Sequence, residues 1–295
     1  MISTPSLSTN FNQYALNTTP ETLQVLFNKI KLKHYEELYE PEADGTALLE
    51  DDLNAVIEVL GDSDKPLNHL RYIWMTLILS LAVEPTLEYY DPNNSLPKII
   101  IKLLEELLRT TINSSSKSIS IIPDNLDYLI NNIFKSHKCY FQKEGANFQA
   151  ISEALDVFYN AMRVINYNQA VEAILELLDD CLEGYAVFPG SYGRRELFDW
   201  WLLDVVPASY NLLPPKLFYV VEGVKNKEEI KLRQTRLLNK ISNEIKSSMP
   251  KLILKSHIPY NNNIFTPPVK MNIGSFEYSR KINNLSEITQ LIGIK

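Results

Sequence analysis

The chain is poor in the residues that most often build metal and thiol sites. It has 2 cysteines and 4 histidines, no HExxH motif occurs, and the pair His137 and Cys139 has no second pair to complete a zinc site. Two cysteines cannot form a disulfide framework, so reduced thiols in a cytoplasmic protein are expected. The sequence predicts neither a metal nor a cofactor.

Glycine and long apolar runs are also scarce. Only 9 glycines are present, which favours long helices with short connections over a sheet protein with many tight turns. There is no Walker-type phosphate loop and no GxSxG motif. The longest apolar run, Tyr72 to Val83, is too short to span a bilayer, and the opening "MISTPSLSTNFNQY" predicts no signal peptide.

Helical periodicity is present along most of the chain. In one example Thr19 is a candidate cap, Pro20 takes the first helical position, and a shared apolar face follows at Leu23, Leu26, Phe27 and Ile30. A helix from about residue 66 to residue 90 should be kinked or ended by Pro85. These patterns predict an all-α protein, a multi-helix body of antiparallel helix pairs. Helix starts about every fifty residues are compatible with a solenoid.

Charge divides the chain unevenly. Residues 225–295 carry 13 basic and 5 acidic residues, whereas residues 1–224 carry 16 and 31. The domain prediction is a flexible N-terminus at 1–19, a helical domain at 20–224, and a basic helix with an extended Pro/Asn-rich tail at 225–295. We expect the basic quarter to pack on the acidic body, with the apolar residues of its helix buried: Leu232, Leu237, Leu238, Ile241 and Ile245.

The segment "FPGSYGRRELFDWW" is the strongest candidate site. Ser191 or Gly193 is placed to cap a helix whose first turn contains Arg194 and Arg195. Two cations at a helix N-terminus are unfavourable unless an anion compensates them. Backbone N–H groups, a hydroxyl and two guanidinium groups would suit a phosphate, a carboxylate or a charged partner.

A structural explanation competes with that binding site. Acidic residues at the end of the preceding helix, Asp179, Asp180 and Glu183, are close enough in sequence to neutralise both arginines. With Glu172 and Glu176 they otherwise predict a solvated acidic helix face, or a docking face for a basic partner.

The two adjacent tryptophans form a second candidate. Trp200 and Trp201 occupy neighbouring faces of one helical turn, so we expect one to pack inward while the other covers the turn or a partner. An exposed tryptophan would be a candidate interface anchor.

The same region resembles nucleotidyltransferases of the polymerase-β type in "YAVFPGSYGR" and faintly in "LLDVV". That resemblance implies two metal-binding carboxylates with one residue between them. Only Asp204 is present, and Asp199 lies too far away in sequence to replace the missing ligand. The sequence therefore does not support this family.

The function predicted from these features is that of a cytoplasmic, non-catalytic protein-interaction or adaptor protein. One alternative is nucleic-acid binding through the basic C-terminal quarter, although the sequence pI near 5.3 argues against it. Another is an enzyme with an unrecognised site at the Arg194/Arg195 turn.

Overall fold

A computed structural model of the chain describes residues 20–35, 38, 48–61, 65–113, 126–135, 145–185 and 188–256. The predicted flexible N-terminus 1–19, the pair at 137 and 139, and the tail 257–295 lie outside these residues. By its internal contacts the chain divides into residues 1–249 and residues 250–295. The described part of the second unit is the end of the last helix.

The regular secondary structure of the described residues is helical, without a β-strand, which confirms the predicted all-α class. The α-helices in chain order are α1 (Glu21–Lys31), α2 (Leu49–Leu60), α3 (Lys65–Tyr90), α4 (Leu96–Asn113), α5 (Leu126–Phe134), α6 (Ala146–Arg163), α7 (Ala170–Tyr185), α8 (Arg194–Trp200), α9 (Val206–Asn211) and α10 (Lys227–Ser256). A π-helical turn, Trp201–Val205, joins α8 to α9.

Helix α3 forms the centre of the body. Every residue from Asn68 to Leu87 is buried, and α3 packs against α4, α6, α7 and α9. Its segment Pro66–Tyr90 has the length and hydropathy of a membrane span, and its apolar window is entirely buried by the rest of the protein. In a solenoid each repeat contacts only its neighbours. Contacts between α3 and helices far along the chain instead make a cluster around a central helix.

Pro85 does not end α3, which continues to Tyr90. Proline has no N–H, so the carbonyl of Leu81, four residues earlier, loses its intrahelical donor. The side-chain amide of Gln234 in α10 supplies the missing bond, with Nε2 2.6 Å from the Leu81 oxygen. The proline is tolerated because a neighbouring helix satisfies the buried carbonyl.

The part of α10 that belongs to the first unit, residues 227–249, packs within that unit through an apolar stripe and several polar contacts. The buried stripe consists of Ile230, Leu238, Ile241 and Ile245. The prediction that Leu232 is buried was wrong, because its side chain is about half exposed and Ile230 occupies the buried face. Leu237, also predicted to be buried, is only partly buried. Arg233 pairs with Glu84 at 3.4 Å, and Glu244 pairs with Arg109 of α4 at 3.0 Å.

A buried arginine ties two helix ends to α3. Arg71 donates through Nη1 to the Leu60 carbonyl at the end of α2, at 3.1 Å, and through Nε to the Tyr210 carbonyl in α9, at 3.0 Å. Its guanidinium also lies 3.8 Å from the centre of the Tyr210 ring. Carbonyls at helix C-termini carry partial negative charge, which stabilises the buried cation.

Candidate interaction site

The backbone conformation of the candidate loop requires a glycine at position 190. Gly190 has φ +68°, and a Cβ there would lie 2.4 Å from the backbone nitrogen of Gly223. That nitrogen donates to the Pro189 carbonyl at 2.9 Å, so residues 188–191 are held against the segment preceding α10. A positive φ and a lack of space for a Cβ atom both favour glycine at this position. A tight turn with a close backbone approach explains this glycine.

Gly193 is the N-cap of α8, so the structure selects it over Ser191. It has φ +104° and cannot supply a side-chain cap. Glu196 at N3 places an acidic residue in the first turn, where the positive end of the helix dipole favours it. Tyr219 donates a hydrogen bond from its hydroxyl to Glu196 Oε2 at 3.0 Å, which ties the start of α8 to the loop before α10.

Arg195 joins α8 to the end of α1. Its Nε lies 3.1 Å from Asp199 Oδ1 in an ion pair, without the alignment of a hydrogen bond. Its terminal nitrogens donate to the carbonyls of Lys31 and Lys33, both at 3.4 Å. The Lys31 carbonyl belongs to the negative end of the α1 dipole, and Lys33 follows that end by two residues. The compensating groups are therefore Asp199 and a helix C-terminus.

Arg194 turns toward α7. Its Nε donates to the Leu182 carbonyl at 3.0 Å. Its charge also acts on the carboxyls of Glu153 and Asp179, where it opposes the rise in pKa that burial causes. Arg194 therefore lies beside the acidic end of α7, as the sequence predicted. Sequence reasoning missed Glu153 of α6, because nothing in the local pattern shows which helix packs on α7.

Both tryptophans pack inward, contrary to the expectation that only one would. Trp200 is 6% exposed and Trp201 is 1% exposed. The wider π turn that begins at Trp201 changes the angle between successive side chains, so both rings can enter the core. Trp200 donates from Nε1 to the Leu217 carbonyl at 2.7 Å. Neither ring is exposed as an interface anchor would be.

An acidic seam lies between α6 and α7, formed by Glu153, Asp156, Asp179, Asp180 and Glu183. The register of the antiparallel pair places these carboxyls opposite one another, since Asn160 donates to Asp180 at 2.8 Å. A Cβ on Gly184 would lie 2.8 Å from Cβ of Glu153, so the helices approach closely here. The α7 acidic face is solvated as predicted at Glu172, Glu176, Asp179 and Glu183, which are exposed, whereas Asp180 is half-buried against α6.

Burial makes the charged forms of Glu153, Asp156, Asp179 and Asp180 costly. It raises the pKa of Asp180 to about 8, with smaller contributions from neighbouring carboxylates that the hydrogen bond from Asn160 opposes. Burial likewise raises the pKa of Glu153 to about 7 and that of Asp156 to about 6. Part of the seam is therefore protonated at neutral pH.

A metal-binding cluster is absent from the part of the chain that the structure describes. No group of three His, Cys, Asp or Glu side chains converges there to hold a metal ion. Cys181 is a buried free thiol, and burial raises its pKa well above the ordinary value. It lines a cavity of about 10 Å³, room for about one water molecule, with Leu79, Ala82, Val83, Phe188, Leu197, Tyr219 and Val221.

The candidate loop, the end of α1 and the start of α2 meet at one corner of the first unit, which we call the Arg195 corner. Besides the contacts of Arg195, Lys33 Nζ lies 2.6 Å from Asp52 Oδ2 in the first turns of α2. Tyr35 also donates to Asp52, and its ring meets Phe198 of α8 edge-on at 5.7 Å. These contacts fix the end of α1 beside the starts of α2 and α8.

Large apolar side chains are exposed on the segments that meet at this corner. Leu32 is 83% exposed, Tyr192 73% and Leu48 63%. Leu32 directly follows α1, Leu48 directly precedes α2, and Tyr192 precedes Arg195 by three positions. Single exposed apolar residues are ordinary on protein surfaces, but several at one place mark interaction surfaces. Sequence reasoning missed Leu32 and Leu48, whose exposure depends on how the helix ends pack.

No protein-family model matches the chain, and no curated protein or solved structure has significant similarity to it. The candidate site is therefore defined by its geometry.

Proposed function

We propose that the chain is a non-catalytic protein-interaction protein of the cytoplasm, with the Arg195 corner as part of its contact surface. The observation that carries the proposal is the exposure of Leu32, Leu48 and Tyr192 beside a rigid set of ion pairs and hydrogen bonds. Apolar anchors on a preorganised backbone bind at a low cost in conformational entropy.

The contacts of the two arginines favour interaction over catalysis. Both guanidinium groups donate hydrogen bonds to backbone carbonyls, and Arg195 is also paired with Asp199. Within the described residues these guanidinium groups hold helix ends in place. The geometry supports a structural role for the arginines, with the neighbouring apolar side chains making the contact.

Site-specific photo-crosslinking in the native host tests this proposal. A photoreactive phenylalanine analogue at position 192 should give a recurrent crosslinked protein, because the Tyr192 side chain is exposed at the proposed surface. Tyr128 is the matched control, since it is 69% exposed on α5. Identical products from both positions, or no product from position 192, would contradict the proposal.

A second assay addresses nucleic-acid binding by the basic quarter. We expect the full chain to show no tight, salt-sensitive binding of single- or double-stranded nucleic acid. Steep weakening with ionic strength is the signature of phosphate contacts. Such binding would replace the interaction proposal with the nucleic-acid alternative.

A further inference from the structure

The outer face of α1 is unpartnered among the described residues. This helix uses Leu23, Phe27 and Ile30 to pack on the body. On the opposite side Val25 is 62% exposed, and Leu32, seven residues later, is the most exposed of the large apolar side chains. At about 1.5 Å of rise per residue the two lie roughly 10 Å apart on one helix face.

Two lysines accompany these apolar side chains. Lys29 is exposed and lies between Val25 and Leu32 on the same face, and Lys31 is exposed on its flank. Neither lysine forms an ion pair with any residue that the structure describes, whereas nearby Lys33 is paired with Asp52. The outer face of α1 thus combines apolar contact area with positive charge that the described structure does not neutralise.

We propose that this face binds an acidic segment of a protein partner. Apolar side chains of that segment would cover Val25 and Leu32, and its carboxylates would lie beside Lys29 and Lys31. The inference rests on the proposed interaction function, and it extends the Arg195 corner along α1 through the shared residue Leu32. Charge complementarity of this kind sets partner choice and association rate, while the apolar contacts supply the anchoring.

A protein partner fits the face better than an anionic membrane surface. A helix that lies in a bilayer inserts a broad apolar stripe. In α1 that stripe, containing Leu23, Phe27 and Ile30, is already buried against the body. The exposed apolar area that remains suits contact with a few side chains of a partner.

Peptide binding to the full chain tests the inference. The probe is a synthetic amphipathic peptide with leucine at every third or fourth position and glutamate at the flanking positions, and its twin carries lysine in place of glutamate. Fluorescence anisotropy should show binding of the glutamate peptide only. The double substitution Lys29→Glu with Lys31→Glu should weaken that binding about tenfold or more and allow the lysine peptide to bind.

Matched charge reversals on α4 provide the control. Lys98 and Lys102 are exposed, as Lys29 and Lys31 are, and lie four residues apart on α4. Replacing both with glutamate should leave the affinity for the glutamate peptide unchanged. Equal weakening by both pairs, or no binding of the glutamate peptide at all, would overturn the inference. The inference would also be overturned if the chain bound phosphatidylserine vesicles through Lys29 and Lys31 but bound neither peptide.

The photo-crosslink at position 192 separates failure of the inference from failure of the proposed function. If the peptides do not bind but the crosslinked partner persists, the partner chemistry is wrong and the interaction function stands. If both fail, the proposed function fails as well. Reduction of the crosslink by the Lys29 and Lys31 reversals, but not by the α4 reversals, would support both.

Discussion

The bond between Gln234 and the carbonyl that Pro85 leaves without an intrahelical partner can be tested by a double-mutant cycle. Gln234→Met keeps an unbranched side chain of similar length and removes the amide donor. In the wild-type background the Leu81 carbonyl would then be buried without the hydrogen bond from Gln234. In the Pro85→Ala background the backbone N–H at position 85 can donate to that carbonyl, so the substitution then removes only the second bond of the amide, to Glu84 Oε2 at 3.2 Å.

The expected magnitude follows from this difference. A buried polar group that loses its hydrogen bond costs about 1–3 kcal/mol. The amide oxygen Oε1 of Gln234 is itself buried without a partner, and its removal offsets part of that cost. Loss of the bond to Glu84 is common to both backgrounds, so we expect Gln234→Met to lower the free energy of unfolding by about 1–2 kcal/mol more with proline present than with alanine present.

Denaturant unfolding followed by tryptophan fluorescence and far-UV circular dichroism measures the four proteins of the cycle. The matched control is Lys240→Met at an exposed position of the same helix, which should change the stability by less than about 0.5 kcal/mol. Equal costs of Gln234→Met in the two backgrounds would refute the proposed link between the proline and the glutamine.

Two further substitutions test the acidic seam and the candidate loop. The raised pKa of Asp180 means that the folded state holds a proton which the unfolded chain releases near pH 4, so this group loses stabilising effect as pH rises toward about 8. Asp180→Asn should therefore raise the free energy of unfolding at pH 8 by about 1–2 kcal/mol, since solvent around the half-buried carboxyl reduces the cost of burying its charge, and the gain should vanish below about pH 4. Glu172→Gln, at an exposed ion pair, should show no such trend, and a pH-independent effect of Asp180→Asn would contradict the assignment. Gly190→Ala should cost about 2 kcal/mol or more, because it adds left-handed strain to a clash with Gly223. Gly193→Ala adds the strain in open space and should cost less in the same thermal-unfolding assay; the reverse order would contradict the close approach seen at Gly190.

The helical class was predictable because it depends on local spacing. The apolar residues of α1 recur with the helical period, and the structure buries Leu23, Phe27 and Ile30 as that pattern indicates. The helix start differed slightly, since Pro20 is the N-cap rather than the first helical residue. An N-cap for α8 in the glycine-rich loop was also predictable, with Gly193 as one of two alternatives.

The candidate site depended on packing between distant segments. Arg195 finds its carbonyl partners more than 160 residues earlier in the chain, at the end of α1. The exposure of Leu32 and Leu48 follows from where those helix ends meet, and a periodic pattern does not contain that information.

By itself the sequence determined an all-α chain, the positions of most helices and the placement of two arginines at the start of α8. The tertiary structure decided that α3 continues through Pro85, that both Trp200 and Trp201 are buried, and that part of the acidic face of α7 is half-buried against α6. The physical reason is the range of the interactions. Helix formation is governed by neighbours within about four residues, whereas a carbonyl without its intrahelical donor, a π turn and a shifted carboxyl pKa are stabilised or caused by groups that only the folded chain brings together.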